Sequence, residues 1–179
     1  MIELSVIRDL VAIFGVIAGF TYYVITVRAN RRTQQQQLEI RESQLYMNIY
    51  NQSYSNPDFL NRARIIHMKI PEIKSADDFI KAYDYFNPTP EDPEFLEAWN
   101  SVSSFFEGLG VFIKEGLIDI RLVALTMSGM TLTTWGIVEP YLEEIREYFG
   151  FKRWMSEWEY LVNELRAYHE ANPELAPFE

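Results

Sequence analysis

The chain has 179 residues, 48% of them hydrophobic and 15% aromatic, which is enough to bury a core, and it contains no cysteine. Disorder throughout, disulfides, thiolate metal sites and cysteine nucleophiles are thereby excluded. The net charge is −10, and from Tyr46 onward 22 acidic side chains stand against 11 basic ones, a balance that repels phosphate backbones and excludes nucleic acid as an expected partner.

The run "LVAIFGVIAGFTYYVITV", Leu10 to Val27, holds 18 residues without a charge. At 1.5 Å per residue it reaches about 27 Å, close to the hydrocarbon thickness of a bilayer, and predicts one spanning helix within an N-terminal segment 1–27. A cleaved signal peptide is the competing reading, but "MIELSVIRD" before the run is not basic and no small-residue cleavage site closes it. Arg28, Arg31 and Arg32 crowd the C-terminal edge, whereas Arg8 on the other side is offset by Glu3 and Asp9. That asymmetry predicts a single-pass protein of the cell membrane with its N-terminus outside and its C-terminal part cytoplasmic. Gly15 and Gly19, four residues apart, are the candidate helix–helix contact within the span.

Residues 28–55 form a polar stretch rich in helix formers and free of Gly and Pro, which predicts a helical stalk. Leu38, Leu45 and Ile49 give it a thin apolar stripe, interrupted by Glu42 and Gln52, so pairing with a second copy is only weakly encoded.

From 56 to 172 the sequence reads as one helix after another. Asn56-Pro57 and Asp92-Pro93 each place a cap before a proline suited to a first turn, and Ser75 with Asp78 resembles a capping box. The prolines of 87–93 predict a loop. Leu96, Trp99, Val102, Phe106, Leu109 and Ile113 recur at three or four, so their helix is expected at the centre of the core. Gly116 can end that helix and Asp119 can cap the next, which carries Leu122, Val123, Met127, Met130 and Trp135 with Gly129 inside it. Glu139-Pro140 interrupts again, Gly150 terminates "YLEEIREYF", and Trp154, Trp158, Leu161, Leu165 and Tyr168 mark a last amphipathic helix. No alternating run competes, so the fold class is all-α: a membrane helix, a stalk, an acidic helical bundle and a loose tail over 173–179.

Chemistry is sparse. Gly108-Leu109-Gly110 lacks the third glycine of a dinucleotide loop, because Ile113 occupies that place, so these glycines are read as allowing close helix packing. His67 and His169 stand outside any metal-binding spacing. Glu139, Glu143 and Glu147 would share a face of an unbroken helix, read as a solvated acidic face rather than an acid–base site. Trp99, Phe106, Trp135, Trp154 and Trp158 are read as core or interface anchors, with a ligand cage as the alternative. No catalytic residue, metal ligand or cofactor is assigned.

The block "WNSVSSFFEGLGVFIKEGLIDIRLVALTMSGMTLTTWGIVEP", Trp99 to Pro140, resembles a family of prokaryotic proteins catalogued as a domain of unknown function. The resemblance implies an N-terminal membrane helix, a polar helical stretch and a helical cytoplasmic part, and implies no catalytic residues and no substrate. The expected function is that of a membrane-anchored interaction, adaptor or accessory-subunit protein, not an enzyme, whose partner is a protein or a second copy. A tethered sensor using Trp-lined helices is the alternative, and an enzyme with an unrecognised carboxylate site is the third reading.

Overall fold

A computed structural model describes residues 4–83 and 91–177, and within them all side chains except those of 4–13, 52 and 53. The described residues are all-α, with no strand among them. They divide into two compact units, Met1–Ser43 and Gln44–Glu179.

The first unit is helical. It belongs to α1, Leu4–Ile49, a stretch with neither Gly nor Pro beyond Gly19 to interrupt the backbone ladder. Among the described residues no helix is long and apolar enough to cross a membrane. The expected span starts at Leu10, and its positions 10–13 lie outside the described side chains. Arg28, Arg31 and Arg32 are exposed, and a Cβ added at Gly15 or Gly19 would meet nothing within 4 Å.

The second unit opens with the last residues of α1, where Leu45, Tyr46 and Ile49 turn their side chains onto its core. Gln44–Ser55, expected as stalk, is therefore part of the compact unit. A π-helical turn, Tyr50–Tyr54, leads to α2, Pro57–Lys69, whose cap Asn56 accepts from the Asp58 N–H at 2.8 Å. After α3, Ala76–Tyr83, residues 84–90 lie outside the description, and most of the expected 87–93 loop with them. Asp92 accepts from the Phe95 N–H at 2.9 Å and opens α4, Pro93–Lys114. Of the expected stripe of α4, Trp99, Val102, Phe106, Leu109 and Ile113 are buried along it, whereas Leu96 is only half-buried and its neighbour Phe95 takes the buried place.

Gly116, at φ 65, ends α4: its own N–H donates to Ile113 and the Leu117 N–H donates to the Phe112 carbonyl at 2.9 Å. Asp119 then caps α5, Ile120–Thr126, through the Arg121 N–H. The single helix expected through Trp135 is divided at Met127, and α6, Ser128–Trp135, follows. The hydroxyls of Thr126, Ser128 and Thr131 each donate to the carbonyl four residues back, local bonds that bend a helix.

A 3-10 turn at Glu139–Tyr141 precedes α7, Leu142–Phe149, which ends at Gly150, φ 64, in the same pattern as α4. The last helix, α8, spans Ser156–Ala171. Trp154 lies before α8 rather than inside it, because Met155 adopts a left-handed φ of 57 between them. The buried stripe of α8 is Trp158, Leu161, Val162, Leu165 and His169, so His169 faces the core where Tyr168 was expected.

Candidate interaction site

Two regions carry the features singled out from the sequence, and each lies within one unit. On α1, most of the described apolar side chains are uncovered: Phe14, Val16, Phe20, Tyr22 and Ile25 are between 60% and 73% exposed, while Val24 and Val27 are half-buried. A helix apolar all round is ordinarily a buried one, and here every described residue from Phe14 to Phe20 is exposed. Immediately beyond it come three exposed guanidinium groups, with no hydrogen bond or ion pair for them among the described residues. Thr33 turns its hydroxyl back to the Ala29 carbonyl at 3.0 Å.

In the second unit the anchors Trp99, Phe106, Trp135, Trp154 and Trp158 converge on one aromatic core. Trp158 stacks on Phe106 at 4.8 Å between ring centroids and meets Trp135 at 5.4 Å and Trp99 at 5.8 Å. Phe79 stands edge-on to Trp99 at 4.9 Å. Rings that fill one another's surroundings make a packed centre rather than an open cage. Among the described residues, the buried indole nitrogens of Trp99 and Trp158 and both ring nitrogens of His169 have no hydrogen-bond partner. That of Trp135 reaches Glu139.

The glycine stretch is explained at the crossing of α4 and α8. A Cβ at Gly110 would stand 2.0 Å from the Glu157 carbonyl oxygen, so the two backbones meet where only hydrogen fits. One turn earlier, Oε2 of Glu107 accepts from the N–H groups of Glu157 and Trp158 at 2.8 and 2.9 Å. These are donors that the first turn of α8 leaves unpaired, and a carboxylate there also meets the positive end of the helix. Burial raises the Glu107 carboxyl above the usual range, with the two backbone donors and Arg146 opposing it.

Arg146 of α7 completes the junction. Its Nε donates to the Trp154 carbonyl at 3.0 Å, while its two terminal nitrogens reach Glu143 at 3.0 Å and Glu159 at 2.7 Å. Burial works to lower its pKa, and the carboxylates of Glu159 and Glu143 outweigh that and raise it. Lys114 and Arg153 hold Glu157 from either side at 2.8 and 3.0 Å. Neither Glu107 nor Arg146 was predicted as a positioning residue. Their only local signals are an acidic residue on an apolar helix and a lone Arg among glutamates.

The acidic trio is not brought together. Glu139 sits in the 3-10 turn, gripped by both terminal nitrogens of Arg166 at 2.5 and 2.7 Å, a fork that lowers its pKa. Glu143 belongs to Arg146, and Glu147 lines an open cleft of about 550 Å³ with Glu143, Arg146, Gly150 and Lys152. A second cleft, about 280 Å³, is walled by Lys69, Glu72, Asp78 and Asp92, where Lys69 bridges both Glu72 and Asp92. No tryptophan lines either cleft. His67 is half-buried with Nε2 at 3.0 Å from the Thr134 hydroxyl, and its pKa is lowered by burial. Among the described residues no group of three His, Asp or Glu side chains could hold a metal ion.

The model of the family described as Domain of unknown function (DUF4760) matches residues 9–165, and the chain belongs to that family. The block Trp99 to Pro140 that carries the sequence resemblance lies inside the matched region. No curated protein and no solved structure matches the chain.

Proposed function

We propose that this DUF4760 member is a single-pass membrane-anchored interaction protein, in which residues 10–27 cross the bilayer and the acidic helical unit binds a protein partner. The observation that carries the reading is the uncovered apolar surface of α1 from Phe14 to Ile25. Water around such a surface costs about 25 cal/mol for each Å², and a bilayer removes that cost along the whole segment. The arginines that follow the segment support an outside N-terminus and a cytoplasmic C-terminal unit. A surface with 22 acidic and 11 basic side chains from Tyr46 onward favours a partner with a basic face.

The test is extraction of membranes from cells expressing the full chain. Alkaline carbonate should leave the protein in the pellet, and Val16→Asp with Phe20→Asp should release it. Wild-type chain in the aqueous fraction would overturn the anchor. Labelling of Glu179→Cys in intact cells by an impermeant thiol reagent would overturn the orientation.

A further inference from the structure

We infer that Arg28, Arg31 and Arg32 form a phosphate-binding face for the headgroups of anionic phospholipids, an inference that rests on the membrane reading of α1. At 100° per residue, positions 28, 31 and 32 fall within an arc of about 100° on one side of the helix. All three side chains are exposed, and no carboxylate among the described residues neutralises them. Between Leu10 and Leu38 they are the only charged residues, and the four that follow Thr33 are neutral glutamines.

Depth agrees with the charge. From Val27 to Arg32 the helix rises about 7.5 Å, roughly the thickness of one headgroup layer outside the hydrocarbon. With Val27 at the hydrocarbon edge, all three guanidinium groups stand at the level of lipid phosphates. The residue type agrees as well. Every basic side chain in Met1–Ser43 is arginine, and the first lysine of the chain is Lys69. The guanidinium fork binds phosphate through two parallel N–H donors, whereas an ammonium offers only a point charge. A zwitterionic headgroup carries its own cation against the phosphate, so the face favours lipids with a net negative charge.

The full chain is reconstituted in vesicles of phosphatidylcholine with a minor fraction of phosphatidylglycerol, and enrichment of each lipid beside the protein is read with spin-labelled lipids. Phosphatidylglycerol should be enriched several-fold over phosphatidylcholine. Each arginine near an anionic surface contributes about fivefold at most, and salt reduces that figure. R28Q/R31Q/R32Q should stay inserted after carbonate extraction and lose the enrichment to within twofold. An inserted wild-type chain without enrichment, or an inserted triple variant that keeps it, would overturn this surface and leave the anchor standing. A wild-type chain that does not insert would overturn the anchor and this surface together. If inorganic phosphate abolishes the enrichment where sodium chloride of equal ionic strength does not, the site belongs to free phosphate and the lipid assignment is overturned.

Discussion

Gly108 and Gly110 stand two residues apart in α4, and the packing predicts opposite signs for the same substitution. At Gly110 an added Cβ would lie 2.0 Å from the carbonyl oxygen and 2.6 Å from the carbonyl carbon of Glu157, both backbone atoms that no rotamer change can move. Real Cβ contacts begin near 3 Å, so α8 must recede from α4 by about 1 Å. A gap of that size forfeits a quarter to a half of the dispersion energy at the facing surfaces, here the stack of Trp158 on Phe106. It also stretches the two bonds from α8 to Glu107, now 2.8 and 2.9 Å. Overpacking costs about 1–3 kcal/mol and more against backbone, while alanine returns up to about 1 kcal/mol of helix propensity. Gly110→Ala should therefore destabilise by about 2–4 kcal/mol. At Gly108 nothing lies within 4 Å of the added Cβ, and Gly108→Ala should stabilise by about 0.5–1 kcal/mol.

The assay is urea unfolding of the full chain in mild detergent, followed by tryptophan fluorescence, since all four tryptophans lie in Gln44–Glu179. A Gly110→Ala chain as stable as wild type would refute the close crossing. Equal destabilisation by both variants would refute the distinction between the two glycines and reopen a ligand role for the loop-like stretch.

Three further outcomes follow from the same unit. Arg146→Ala should cost about 3 kcal/mol in the same urea assay, because a largely buried guanidinium leaves the Trp154 carbonyl and Glu159 unpaired, and Arg146→Lys should recover less than half of it. The pKa values of His67 and His169 are lowered by burial, so the unfolded chain takes up protons first as pH falls below about 6.5; stability present above that pH should decline towards pH 5, and a thermal-melt series should show the slope reduced in His169→Phe. Glu139, whose pKa is likewise lowered but by its pairing with Arg166, loses its contribution only further down, as pH falls through the carboxylate range, and Arg166→Ala should cost at most about 1 kcal/mol, reduced by salt, since both partners are close to half exposed.

The helices that sequence located well are those bounded by local chemistry. Asn56, Asp92 and Asp119 each accept the backbone donor that a cap residue is suited to accept, and Gly116 and Gly150 take the left-handed conformation that glycine adopts without cost. What periodicity missed depends on partners distant in the chain. Leu45 and Ile49 share a spacing with Leu38, yet Leu38 is exposed while the other two, inside the second unit, pack against its core. Spacing reports an apolar stripe, not the surface that it meets. Trp154 fits the period of α8 and still lies outside it, because Met155 pays a left-handed φ that a local pattern would place at glycine or asparagine. The split between α5 and α6 arises from hydroxyl bonds that compete with the helix ladder, a competition that an apolar repeat does not record.

The stretch around Gly108 and Gly110 resembles a phosphate loop for a physical reason, even though it holds no phosphate-binding pattern. Close approach of backbone to a helix N-terminus is what such loops use, and that approach occurs here between Gly110 and the start of α8. The N-terminus of α8 also has the unpaired N–H groups and the dipole that attract an anion. Its anion is supplied by the chain itself, one turn before the glycine: the Glu107 carboxylate takes the donors of Glu157 and Trp158. A free phosphate would have to displace a carboxylate already bound to both N–H groups and held near them by the same helix. Glu107 and Gly110 thus act as one device, the glycine bringing the backbones together and the glutamate capping the helix that arrives. The acidic residue, which a nucleotide loop would exclude, is what makes this junction a packing site.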